Sequence, residues 1–168
     1  MTVTQQAAPA LRVLIVDDEK PFADMLVTLL RRSGYDAQAV HDAQQGLDML
    51  EAQRFQLTLC DIKMPRMNGL EFLDAMNERG LSSTVITMSA FGTIDLALEA
   101  IRRGAYDYIS KPFKRDEVIL TLRKAEEREQ LRAEVKRLEG QVARMAAVEG
   151  GDRPLLGESE CMRKLKSM

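Results

Sequence analysis

The sequence predicts an α/β fold, a doubly wound five-stranded parallel sheet that continues into a long C-terminal helix. Three observations predict it. Short apolar runs alternate with segments of helical period five times along the first 125 or so residues. The clearest of those runs are near-continuous and rich in β-branched residues, as in strands buried on both faces. From Asp116 to about Val148 there is neither a proline nor a strand signal, and Glu, Arg, Leu, Ala and Lys dominate. Strict alternation of strand and helix points to βαβ units, right-handed crossovers and a sheet covered on both sides. At 168 residues, 45% of them hydrophobic and 30% charged, the chain can hold one well-buried core plus an appendage.

The first strand is Leu11–Val16 (LRVLIV), which ends in the acidic triplet Asp17, Asp18 and Glu19. Phe22, Met25, Leu26, Leu29 and Leu30 then recur at helical spacing up to Gly34, a C-terminal stop. A short strand at Ala37–Val40 leads to a helix carrying Ala43, Leu47 and Leu50. The third strand, Leu57–Cys60, precedes a helix with Leu70, Leu73 and Met76. Thr84–Met88 is read as the fourth strand before a helix over Thr93–Arg103, and Tyr106–Ile109 as the fifth before a helix starting near Arg115. On that last helix the stripe Val118, Ile119, Leu122 and Ala125 covers the sheet. Further on, Leu131, Val135, Leu138, Val142 and Met145 alternate spacings of four and three, the seam of a two-stranded coiled coil and hence of a homodimer. The seam spans only about two heptads, so a solvated helix lying against its own domain is the alternative. Glu149, Gly150, Gly151 and Asp152 are expected to break the helix. The organisation is then a disordered segment at 1–10, a domain at 11–127, a helical linker at 128–149 and a further segment at 150–168.

Composition excludes several classes. Lys plus Arg number 24 against 26 for Asp plus Glu, a net charge of -2, so the chain has no global electrostatic footprint for nucleic acid. Cys60 and Cys161 are too few for a disulfide framework or a Cys-based zinc site. No stretch approaches the roughly 20 apolar residues of a membrane span, and the opening MTVTQQAAPA carries no secretory pattern. These features give a cytoplasmic reading. Cys60, in a buried strand, is a small apolar filler, and the lone His41, far in sequence from the acidic set, reads as a surface residue.

In an open parallel sheet, ligands collect beyond the carboxyl ends of strands at the point where neighbouring connections diverge. The first strand delivers Asp17 and Asp18 to that edge and the third delivers Asp61. Taken alone, Asp17 and Asp18 fit helix capping and metal binding equally. Three converging carboxylates repel unless a hard divalent cation joins them, and Mg²⁺ is the natural choice. The fourth and fifth strands add Ser89 and Lys111. Singly these are a turn residue and a surface lysine. Together they are what a phosphorylated carboxylate needs, with Asp61 as nucleophile, Lys111 offsetting phosphoryl charge and Ser89 donating a hydrogen bond.

Four pieces now carry a resemblance: LIVDDE (14–19), LCDIKMPRMNGLEFL (59–73), VITMSAFG (85–92) and GAYDYISKPF (104–113). In order and spacing they resemble the motifs of response-regulator receiver domains. The resemblance implies a flavodoxin-like (βα)5 receiver fold and a sensor histidine kinase as phosphoryl donor. It implies a phosphoacceptor at Asp61, with Mg²⁺ held by Asp17, Asp18, Asp61 and the backbone carbonyl of Lys63. It further implies switch residues Ser89 and Tyr108, a phosphate-pairing Lys111 and a cis bond before Pro112. Gly69, after Asp61, fits a position needing backbone freedom or an ordinary turn. The segment PLLGESECMRKLKSM resembles the opening of the ATPase domain of NtrC-like, sigma-54-dependent activators. That resemblance implies a longer regulator, acting on sigma-54 RNA polymerase and DNA through domains beyond this chain. Two rivals remain. One is a Mg²⁺-dependent phosphatase of the haloacid-dehalogenase type, which usually carries a second Asp where this chain has Lys63. The other is a receiver-like dimerisation module that takes no phosphate.

Overall fold

The computed structural model describes residues 9–151, so the expectations for 1–8 and for 152–168, including Cys161, lie outside the described residues. Five strands and five helices alternate: β1 (Arg12–Val16), α1 (Lys20–Arg32), β2 (Asp36–Val40), α2 (Ala43–Ala52), β3 (Leu57–Asp61), α3 (Gly69–Glu78), β4 (Thr84–Ser89), α4 (Ile94–Arg102), β5 (Asp107–Ser110) and α5 (Arg115–Gly151). All neighbouring strands pair in parallel, in the order β2-β1-β3-β4-β5. This is the doubly wound sheet with the flavodoxin-like order, whose reversal falls between β1 and β3.

Alternation along each strand divides the core in two. Val13 and Ile15 of β1, Leu57 and Leu59 of β3, and Ile86 and Met88 of β4 face α1 and α5, where they meet Ala23, Leu26, Leu30, Val118, Leu122 and Ala125. Leu14 and Val16, Cys60 and Val85 face the other way, onto Leu47, Phe72, Leu73, Met76 and Ala100 of α2, α3 and α4. Both faces are covered, which is why Val13 to Val16 of β1 is an unbroken apolar run, while β3 and β4 are buried throughout and intersperse Thr58, Thr84 and Thr87 among their apolar residues. Each fully buried Leu or Ile contributes roughly 1.5–3 kcal/mol relative to an exposed one.

Three of the helices, α2, α3 and α4, start where a side chain satisfies one of their first amides. Asp42, Asn68 and Thr93 accept the backbone N–H of Gln45, Glu71 and Leu96, and Glu71 completes a capping box by accepting the Asn68 N–H at 2.9 Å. Thr93, expected inside the fourth helix, is thus its cap. The α1 helix ends at Arg32 with Ser33 as its cap, and Gly34, with a φ of 94°, follows as the glycine stop.

The described α5 runs through Gly151, within the stretch 149–152 expected to break the helix. One sequence expectation changes here. Gly69 does not adopt a left-handed φ. Its requirement is room, since a Cβ there would lie 2.6 Å from the Asp61 carbonyl oxygen and 2.8 Å from the Ile62 Cα.

The chain divides into two units at Glu129 and Gln130. In the second, Leu131, Val135, Leu138, Val142 and Met145 are all exposed. Among the described residues, no helix is long and apolar enough to cross a membrane.

Candidate functional site

Two strand ends bring the acidic groups together. Asp17 follows the last residue of β1, Asp18 comes next, and Asp61 ends β3. Carboxylate oxygens of the three lie within 4.8 Å of one another, with Asp17 and Asp61 buried and Asp18 exposed on the rim. Asp17 is fully engaged: Oδ1 accepts the Glu19 N–H at 2.9 Å and Oδ2 accepts from Lys111 Nζ at 2.8 Å. Neither Asp18 nor Glu19 caps α1 with its side chain; Glu19 occupies the cap position without such a bond. The capping alternative for the acidic pair is therefore not what these side chains do.

Asp61 has weaker compensation. Its Oδ1 lies 3.7 Å from Lys111 Nζ, and the Lys63 backbone N–H donates to its carboxylate. Burial pushes the Asp61 carboxyl up from 3.8 to about 6; Lys111 opposes that shift, while Asp17 and Asp18 add to it. Burial likewise raises the Cys60 thiol, which keeps it an inert filler beside the site.

Lys111 is aimed by its surroundings. It follows β5 and precedes Pro112 through a cis bond, and its Nζ sits 4.1 Å from the centroid of Phe22. Phe22 in turn packs edge-on against Phe113, with centroids 5.6 Å apart. This aromatic platform under the ammonium was not legible as such in the sequence, where Phe22 counted only as part of an apolar helical stripe. His41 is the second surprise. It is half-buried, and its Nδ1 lies 3.3 Å from the Asp17 carbonyl oxygen. The surface reading of His41 fails because the turn after β2 folds back beside the end of β1, a contact set by sheet order rather than by sequence distance.

Two hydroxyls complete the arrangement. Ser89, the last residue of β4, is fully buried, and its Oγ has no hydrogen-bond partner; the Tyr108 hydroxyl on β5 is also buried and unpaired. Across the rim, Lys63 Nζ lies 4.4 Å from the centroid of exposed Phe91. The predicted set Asp17, Asp18, Asp61 and Lys111 is thus contiguous, and Ser89 and Tyr108 stand on the neighbouring strands. Such a site offers a nucleophilic carboxylate, a cation beside it and hard oxygen donors around it.

The profile of the response regulator receiver domain matches residues 13–123. NtrX, a nitrogen assimilation regulatory protein of Azorhizobium caulinodans, is 38% identical over 128 residues, 75% of this chain and 28% of that protein. ZraR, a transcriptional regulatory protein of Klebsiella oxytoca, is 34% identical over 153 residues, 91% of this chain and 32% of that protein. The chain therefore spans about a third or less of these relatives. Among solved structures, NtrX of Brucella abortus superposes with a TM-score of 0.72 at 36% identity, covering 77% of this chain and 30% of that one. A CheY-like receiver domain protein of Methanospirillum hungatei superposes at 0.69 and 26% identity, covering 73% and 98%. The phosphatase alternative gains no support from these similarities. A profile match over most of the folded domain, relatives of the same class and the shared sheet order agree: the chain belongs to the response-regulator receiver family.

Proposed function

We propose that this chain is a phosphorylation-controlled switch in which a sensor histidine kinase passes a phosphoryl group to Asp61. The observation that carries the proposal is the meeting of Asp17, Asp18 and Asp61 within 4.8 Å beside the Lys111 ammonium. The donor set suits Mg²⁺, because it consists of hard oxygens whose mutual repulsion one ammonium does not cancel. Asp17, Asp18, Asp61 and the Lys63 backbone carbonyl would hold the ion. When bound, Mg²⁺ supplies charge neutralisation at the phosphoryl oxygens.

The chain's own residues do the rest. An Asp61 carboxylate oxygen attacks phosphorus in line while the nitrogen–phosphorus bond of the donor's phosphohistidine breaks. Lys111, steadied by Asp17 and Phe22, offsets the phosphoryl charge. Ser89 donates its unpaired hydroxyl to a phosphoryl oxygen, and Tyr108 repositions with it, so β4, α4 and β5 report the event. The chain is a signalling domain whose only chemistry is gaining and losing this group. Lys63, standing where a phosphatase usually has an acid/base Asp, fits that reading.

Residues 11–127 form the receiver, 128–149 a linker that pairs with a second copy through Leu131, Val135, Leu138, Val142 and Met145, and 150–168 the start of an ATPase domain. In the full-length regulator, a cytoplasmic protein, the output is control of sigma-54 RNA polymerase at DNA. Acetyl phosphate with Mg²⁺ tests the central step. Mass spectrometry should find one added phosphoryl group on the wild type and none on Asp61→Asn; full labelling of the variant overturns the assignment. Steady release of phosphate from an added ester would favour the phosphatase, and no response at all the inert module.

A further inference from the structure

The connection between β4 and α4 contains a glycine that its own backbone does not require. The described glycines with positive φ are Gly34, Gly80 and Gly104, so the φ of Gly92 is open to any L-residue. What Gly92 supplies is space. A Cβ built there would lie 1.2 Å from the Tyr108 hydroxyl oxygen, 2.3 Å from its Cζ and 3.0 Å from its Cε1. The end of the Tyr108 side chain therefore fills the volume that the first side-chain carbon of any other residue would take.

Nothing else described holds the hydroxyl in that seat. It is buried and makes no hydrogen bond. The loop around it, by contrast, is tied on both sides. Ser89 ends β4 and its carbonyl accepts the Lys111 N–H at 2.9 Å. Thr93 caps α4 by accepting the Leu96 N–H at 3.2 Å. Phe91, next to Gly92, carries the Lys63 ammonium over its ring. When a side chain is added at 92, the free end of Tyr108 is the part that yields, because it rotates about single bonds while the loop would have to break several contacts.

We propose that Gly92 is a positioning residue for the switch: the missing Cβ is the seat of the Tyr108 ring in its inward position, and a methyl group at 92 denies the ring that seat and holds it outward. The proposal rests on reading Tyr108 as a switch residue and adds the element that admits its inward position.

The test uses the full chain with 3-fluorotyrosine at its three tyrosines, Tyr35, Tyr106 and Tyr108, the last assigned with Tyr108→Phe. In the wild type, Mg²⁺ and beryllofluoride should move the position-108 fluorine resonance. In Gly92→Ala it should be displaced before any addition and move less than half as far on addition. A resonance at the position of the untreated wild type in Gly92→Ala overturns the proposal. A melting cycle guards against plain misfolding: Gly92→Ala should lower the midpoint with Tyr108 present and leave it unchanged in a Tyr108→Ala background. Equal losses in both backgrounds overturn the proposal, since the glycine would then serve its own backbone. Phosphorylation of Asp61, read separately by mass, decides the function proposed above; if it fails, the spectra without additions still decide the seat.

Discussion

Removing the charge of Asp61 should stabilise the folded chain, by an amount that depends on pH in a defined sense. Burial lifts this carboxyl from 3.8 to about 6, with Lys111 pulling down and Asp17 and Asp18 pushing up. A folded-state pKa above the unfolded value means that ionised Asp61 opposes folding. The penalty is complete above pH 6, shrinks as pH falls through 6 and vanishes below 3.8. A shift of about two units at about 1.36 kcal/mol each gives about 3 kcal/mol. Asp61→Asn keeps the shape and an acceptor for the Lys63 N–H while removing the charge, and the 2.8 Å Lys111–Asp17 pair remains. Urea unfolding followed by circular dichroism, in chelator, should show the variant more stable by up to about 3 kcal/mol at pH 7.5. The advantage should shrink to about 0.6 kcal/mol at pH 4. With Mg²⁺ at a hundredfold excess over its dissociation constant, the wild type should regain about 2.7 kcal/mol and the variant less. A difference that does not change with pH, or a variant less stable at pH 7.5, refutes the reasoning.

Lys111→Met leaves buried Asp17 without its partner and should lower stability by about 3 kcal/mol in urea unfolding; a loss below 1 kcal/mol would show that the pair does not hold the site. Phe91→Ala removes the ring beside Lys63 and should shorten the life of phosphorylated Asp61 several-fold in phosphate-release kinetics, whereas an unchanged decay denies Phe91 a shielding role. Light scattering should find the whole chain dimeric, and both Leu138→Asp and a chain ending near Glu127 monomeric without phosphate. A dimeric Leu138→Asp excludes the seam as the interface.

The fold was legible because its signals are local and repeated. Val13 to Val16 can be apolar at every position only in a strand covered on both faces, and Leu26, Leu30, Val118 and Leu122 mark covering helices by their period. The acidic set was legible for the same reason: strand ends place Asp17, Asp61, Ser89 and Lys111 on one edge once the sheet is parallel. What escaped depends on contacts across the sequence. His41 reaches Asp17 because β2 lies beside β1, and Phe22 reaches Lys111 because α1 and the segment after β5 share a face. Neither contact leaves a spacing in the chain. Gly92 and Gly69 look like turn glycines, and only the close approach of Tyr108 and of the Asp61 carbonyl distinguishes their purpose.

The unfavourable features of this domain gather where a phosphoryl group would act. Ionised Asp61, the unpaired Ser89 hydroxyl and the unpaired Tyr108 hydroxyl stand at the ends of β3 and β4 and on β5. An unsatisfied buried hydroxyl costs about 1–3 kcal/mol. Giving Ser89 an acceptor in only one conformation therefore biases the equilibrium about 5- to 150-fold. Carrying a population from 1:99 to 99:1 takes about 5.5 kcal/mol, so Ser89 alone falls short. A partner gained by the Tyr108 hydroxyl would add a second contribution of similar size, and the two together reach that figure only at the top of their range. A phosphorylated monomer should therefore switch incompletely, and the whole chain should switch further than Leu138→Asp if the proposed pairing through Leu131 to Met145 favours the switched conformation.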